Sequence, residues 1–239
     1  MLLLLNNPLA FSQKHQELSL ATTAWCPYTC NFEPFEFGII GHYITQVLAK
    51  HNINVHIQSY PWSRAINLAN SGAVDGLLTA IKSEAPNLLL TDTPITDYQV
   101  CFFTRNNQDW RYKIPLDFTG MRLGVIQDYG YGEPLDSYIL KSSAESLVIK
   151  ISGDLGTKRL VDMLLNDRID IFVEDKKVVA WQLAQHNTSQ SFLRNAGCLP
   201  KQPFYLALYP NDKNRRLIDL LNQLLEDEEN QQTLQSLFQ

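Results

Sequence analysis

Polar and apolar positions alternate weakly over 18–23, which predicts a first strand. A turn at 24–28 follows and carries Trp25 and Tyr28. Over 39–50 the apolar residues Ile40, Tyr43, Ile44, Val47 and Leu48 recur at helical spacing. A second strand is predicted over 55–60. Pro61 then opens a helix, a favoured place for proline, and the helix ends near Gly72. A third strand occupies 76–79. Strand, helix, strand, helix, strand in this order implies crossover connections and a parallel sheet.

The plan then repeats. A connecting strand over 97–104 and a polar stretch at 106–109 precede a new strand over 122–126. That strand runs into Gln127-Asp128-Tyr129-Gly130-Tyr131-Gly132. Helices are expected over 134–141, 155–165 and 177–184, with strands over 147–151 and 171–174 between them. A return strand over 204–209 and one or two closing helices over 215–238 complete the chain. The segments 68–80 and 163–175 match in pattern: a helix end, a polar turn, an aspartate (Asp75, Asp170), and a short apolar strand. Nearly continuous apolar runs suit strands buried on both faces of a parallel sheet. The chain is therefore expected to be α/β with two lobes of similar plan. The first lobe takes 18–103 and 204–239, and the second takes 104–203. Ligands of open α/β sheets bind beyond the carboxyl ends of the strands. Thr79 and Ala80 would then face Glu174 and Asp175 across a cleft. Asp75 and Asp170 fall at the opposite sheet end and are assigned to turn and cap hydrogen bonding.

Composition narrows the classes. Hydrophobic residues make up 45% of the 239 residues, enough for sizeable cores. The net charge is −5 and no basic stripe occurs, so nucleic acid is not an expected partner. No apolar run reaches the roughly 20 residues that span a bilayer. The start, with its leucine run, Pro8, and small residues Ala10 and Ser12, reads as a signal-peptide remnant over 1–12 and points to export. Cys26 and Cys30 are close enough for a small loop closure, while Cys101 and Cys198 are taken as buried free thiols. The cysteines do not form two close pairs, and the histidines His15, His42, His51, His56 and His186 are dispersed, so no metal site is expected. No nucleophile elbow, P-loop, zinc helix or complete dinucleotide fingerprint is present, so neither enzyme activity nor a cofactor is expected.

The better constellation is aromatic and polar groups at strand ends. Trp25 and Tyr28 follow the first strand, and Trp62 and Arg64 the second. Thr79, Ala80 and Lys82 follow the third. Tyr129, Gly130 and Tyr131 follow the first strand of the second lobe, and Glu174 and Asp175 the later one. Flat apolar walls with a few placed charges suit a small-molecule site. Arg64 or Lys82 would pair with a carboxylate and Asp175 with an amine.

These segments resemble the bacterial family-three solute-binding proteins, the periplasmic type that includes receptors for polar amino acids. ATTAWCPY (21–28) is similar to the first strand and aromatic turn. YPWSRAINLANSGAVDGLLTA (60–80) is similar to the second strand, helix and third strand. LTDTPI (90–95), LDFTGMRLGVIQDYGYGE (116–133) and LLNDRIDIFVED (164–175) follow in the family's order. The resemblance implies a type II periplasmic-binding fold with two hinge strands, near 101–105 and 199–205. It implies a monomer that captures a small, amino-acid-like solute in the cleft for an ABC permease or a membrane receptor. Asp175 matches the amine-binding aspartate. The arginine that grips the α-carboxylate is absent from 81–87, so an amino-acid ligand requires Lys82 or Arg64 in that role. Two alternatives stand beside this reading: a dehydratase-like catalytic derivative with Glu174 as its acid, and a ligand-sensing lobe without transport.

Overall fold

A computed structural model of the protein describes residues 16–114, 116–142, 147–153, 155–185 and 192–238. The expected signal remnant, 1–12, lies outside them. The first lobe begins with β1 (Gln16–Thr22), α1 (Gly38–Ala49), β2 (Ile53–Ser59), α2 (Trp62–Asn70) and β3 (Gly76–Ala80). Two short strands follow, β4 (Leu89–Leu90) and β5 (Thr96–Tyr98). The second lobe holds β6 (Val100–Arg105), β7 (Leu123–Ile126), α3 (Leu135–Lys141), β8 (Val148–Ile151) and α4 (Gly156–Leu165). It continues with β9 (Ile171–Asp175), α5 (Lys176–Gln185) and β10 (Leu193–Cys198). The chain then returns to the first lobe as β11 (Gln202–Leu208), α6 (Asp212–Glu226) and α7 (Glu228–Leu237). The closing helical region is thus two helices, divided at Asp227, whose side chain accepts the amide of Asn230 and caps α7.

One sheet runs β2-β1-β3-β11-β4, with β5 also paired to β11; the other runs β10-β6-β9-β7-β8. The expected parallel character holds for three strands in each: β1 with β2 and β3, and β7 with β8 and β9. The strands that carry the chain between lobes add antiparallel, β11 onto β3 and β6 onto β9 and β10. The apolar runs at 76–80 and 171–173 are wholly buried in β3 and β9, as strands covered on both faces should be. β6 pairs entirely within the second sheet, so the chain leaves the first lobe at Gln99 and re-enters it over 199–201. At this passage Leu199 N–H donates to the Val100 carbonyl at 2.9 Å, and the Gln99 side chain donates to the Leu199 carbonyl at 3.1 Å.

Cys101 and Cys198 are not free thiols. They form a disulfide between β6 and β10, because the antiparallel register sets them opposite one another with Cα atoms 3.9 Å apart. Cys26 and Cys30 form a second disulfide, within the loop after β1. The free-thiol expectation failed because β10 was not anticipated. Its sequence, Leu-Arg-Asn-Ala-Gly-Cys, lacks the apolar alternation of a strand and pairs through a register shift.

The repeated aspartates do equivalent work at the sheet ends away from the cleft. Asp75 Oδ2 accepts the Ser19 amide at 2.8 Å and the Ser19 hydroxyl at 3.0 Å, and its Oδ1 meets Lys213 Nζ at 2.8 Å. Asp170 Oδ2 accepts the Arg122 amide at 2.9 Å, and its carboxylate pairs with the guanidiniums of Arg122 and Arg105. Burial disfavours ionisation of Asp75, but the Lys213 ammonium and the Ser19 donors outweigh it and lower its pKa. The Arg122 guanidinium holds the Asp170 carboxyl well below the usual carboxylate range, against its partial burial. Asp75 therefore ties the start of β3 to β1, Asp170 ties the start of β9 to the start of β7, and each pairs with a cation.

Candidate functional site

The carboxyl ends of β1, β3, β7 and β9 converge on a cavity between the lobes. Its volume is about 50 Å³, room for a few water molecules. The first lobe contributes Trp25, Trp62, Thr79 and Ala80 to the wall, and the second contributes Tyr129, Gly130, Tyr131 and Glu174. Eight of the twelve residues singled out by sequence therefore meet at one place. Tyr28, Arg64, Lys82 and Asp175 do not line it.

Trp25 is delivered by the loop after β1. The Cys26–Cys30 disulfide and reciprocal backbone hydrogen bonds between Trp25 and Thr29, at 2.8 and 3.0 Å, tie that loop down. Its indole stacks on Tyr28 with ring centroids 4.5 Å apart and meets Tyr98 and Phe204 edge-on. Trp25 Nε1 donates across the cleft to Glu174 Oε1 at 3.0 Å. Trp62 is the first residue of α2, which Pro61 precedes in extended conformation. Its Nε1 donates to Glu84 Oε1 at 2.9 Å.

Glu84 is the residue that sequence reasoning missed. It lies in the segment after β3, and its carboxyl is closed in by Trp62 Nε1, the Ile81 amide at 3.0 Å and the Gly130 amide at 2.7 Å. Gly130 belongs to the other lobe. A Cβ added there would fall 2.2 Å from Ile81 Cδ1, so any larger residue would push the Ile81 side chain aside where the two lobes meet. The signal for Glu84 was a lone acidic residue within the segment searched for arginine. Thr23, Ile81, Tyr98, Val100 and Phe204 also line the cavity. Tyr98 and Phe204 had been read only as parts of the connecting strands.

Glu174 is 2% exposed. Its Oε1 also accepts the Asp175 amide at 2.8 Å, and its Oε2 accepts the Thr157 hydroxyl at 2.8 Å. Burial pushes both glutamate carboxyls up to about 7, against the pull of these donors. Burial likewise raises the hydroxyls of Tyr98, Tyr129 and Tyr131, which stay neutral donors.

Asp175 is turned away from the cavity. Its carboxylate accepts the amides of Gln99 at 2.7 Å, Lys177 at 2.7 Å and Val178 at 3.1 Å, and the Tyr28 hydroxyl at 3.3 Å. It caps α5 and braces the first crossing strand, which accounts for an acidic residue at this position without a ligand. The Arg64 guanidinium lies over the Tyr60 ring, 5.1 Å from its centroid, and Lys82 is exposed.

Further hydrogen bonds join the lobes. The Tyr98 hydroxyl donates to the Gly130 carbonyl at 2.9 Å, and the Gln202 side chain donates to the Tyr131 carbonyl at 2.8 Å. At the rim the Ser63 hydroxyl donates to the Asp128 carboxylate. The lobes are thus joined across the cavity by hydrogen bonds. Among the described residues no group of three or more His, Cys, Asp or Glu side chains is placed to hold a metal ion, and no helix is long and apolar enough to cross a membrane.

No family model and no curated protein matches the chain. Solved structures do. A histidine kinase sensor domain with similarity to periplasmic binding proteins aligns with a TM-score of 0.77 at 14% identity, over 94% of this chain and 95% of that one. An ancestral arginine-binding protein bound to glutamine aligns with a TM-score of 0.72 at 17% identity, over 94% and 97%. The periplasmic VFT2 domain of Bordetella pertussis BvgS aligns with a TM-score of 0.69 at 17% identity, over 93% and 92%. The chain therefore has the two-lobed, type II periplasmic-binding-protein fold along nearly its whole length.

Proposed function

We propose that this protein is an exported solute-binding protein that captures a small polar organic molecule between its lobes. One observation carries the reading: a cavity at the carboxyl ends of both sheets, walled by aromatic rings and by a carboxyl group from each lobe. Two disulfides suit an oxidising compartment such as the periplasm. Capture would begin with the lobes apart. Closure would then bury the solute against Trp25 and Trp62, and the closed shape is what a membrane partner would recognise. Delivery to an ABC permease is the family-like use of such a protein. A sensing role is the second reading, favoured by the likeness to a kinase sensor domain over 94% of this chain.

A panel of amino acids, amines and organic acids tested by thermal shift decides the binding claim. A solute that binds only the native state raises the unfolding midpoint. At least one member should do so, and Trp62→Ala should lose the effect while remaining folded by circular dichroism. No stabilising solute, or equal stabilisation of the variant, would refute the proposal.

A further inference from the structure

The charge of the cavity is one-sided. Glu84 and Glu174 line it from opposite lobes, and among the described residues no lysine, arginine or histidine lines it. Asp136 adds negative potential near Glu84, and Asp175 does so beside Glu174. Lys177, which feels the Asp175 charge, sits over the Phe238 ring at 4.2 Å and over the Tyr28 ring at 5.8 Å, and it does not line the cavity.

The backbone donors are committed as well. The Ile81 and Gly130 amides serve Glu84, and the Asp175 amide serves Glu174. A carboxylate solute would meet carboxyl groups with neither a guanidinium nor these amides to hold it, and burying an unpaired charge is costly. A cation meets the reverse. Trp25, Trp62, Tyr98, Tyr129 and Phe204 line the cavity, and aromatic rings attract positive charge. An ionised carboxylate has about four acceptor sites. The donors on Glu84 (Trp62, Ile81, Gly130) and on Glu174 (Trp25, Asp175, Thr157) leave one free on each.

We propose that the cavity selects a small protonated amine without a carboxylate, held between Glu84 and Glu174 and against the indole rings of Trp25 and Trp62. This deepens the solute-binding reading above and rests on it. A bound cation requires ionised carboxylates, so binding releases protons and tightens as pH rises through about 7. An anionic solute would show the opposite trend.

Calorimetric titration with putrescine tests the assignment, with L-arginine, L-glutamine, L-glutamate and succinate as comparators. Putrescine should bind, and its Kd should fall from about pH 6 to about pH 8 by about tenfold for each carboxyl that must ionise, about a hundredfold for the pair. Glu84→Gln and Glu174→Gln, each checked for folding, should weaken it by about tenfold or more. L-glutamate and succinate should not bind. Binding of arginine, glutamine or an acid without binding of putrescine would overturn the amine assignment and leave the solute-binding reading intact. No binding by any of these, or by the wider panel, would remove both. A putrescine Kd that does not change with pH, measured on the unaltered protein, overturns the assignment even if the glutamine variants fail to fold.

Discussion

Glu174 and Glu84 retain protons at a pH where a glutamate in water has lost them, and stability should register this. At Glu174 the folded value is about 7 against an ordinary 4.5, and burial is the cause. The folded state keeps a proton that the unfolded chain has released, so its contribution is full below about pH 4.5 and is lost as pH rises to about 7. The loss approaches about 3 kcal/mol for this group. Glu84 acts in the same direction. Unfolding midpoints followed from about pH 5 to about pH 8 should therefore fall, and Glu174→Gln should make the fall shallower. An identical slope in the variant would contradict the burial argument. Legibility at this scale was uneven. Trp25, Trp62, Tyr129, Tyr131 and Glu174 were found because aromatic and charged residues at strand ends are easily noticed. Arg64 and Lys82 were singled out as charges near the same ends, yet exposure and a stacking contact with Tyr60 occupy them. Glu84 was passed over because nothing in a single sequence shows that an amide of a distant lobe will close on a carboxylate.

Among the elements, the repeated helix-turn-aspartate-strand unit makes a prediction of its own. Asp75 ties the start of β3 to Ser19 in β1 and to Lys213 in α6, so Asp75→Ala removes several bonds at once. The expected cost is about 2 kcal/mol, read as a lower urea midpoint with an unchanged slope. An unchanged midpoint would show that the ties contribute nothing. The disulfides differ in the length of chain they close. Cys101–Cys198 spans 97 positions and Cys26–Cys30 spans four. Constraint of the unfolded chain grows with loop length, so Cys101→Ala with Cys198→Ala should cost up to about 4 kcal/mol, and removal of the short bridge should cost less. Equal costs would argue against an unfolded-state origin. Helices and buried strands were readable here because periodicity and apolar runs are local properties. β10 was not. Its pairing with β6 is made by tertiary contact through a register shift, and without it the Cys101–Cys198 bond could not be foreseen.

For the molecule as a whole, two lobes followed from one repeated pattern and from the succession of strand and helix. Where the chain passes between them was less plain, since β6 reads as a continuation of the first lobe but bonds wholly within the second sheet. Several of the hydrogen bonds across the cleft involve residues that wall the cavity or sit beside them: Trp25 to Glu174, Glu84 to Gly130, Tyr98 to Gly130 and Tyr28 to Asp175, while Ser63 to Asp128 crosses at the rim. Closure and solute capture therefore share one set of groups, and a solute must replace some of these contacts as it binds. The most direct test is a crystal structure with the solute that most raises the unfolding midpoint. The solute should lie in the interlobe cavity, touching Trp62 from one lobe and Glu174 from the other. A solute bound to the outer surface, or to one lobe alone with the cavity unchanged, would contradict the account.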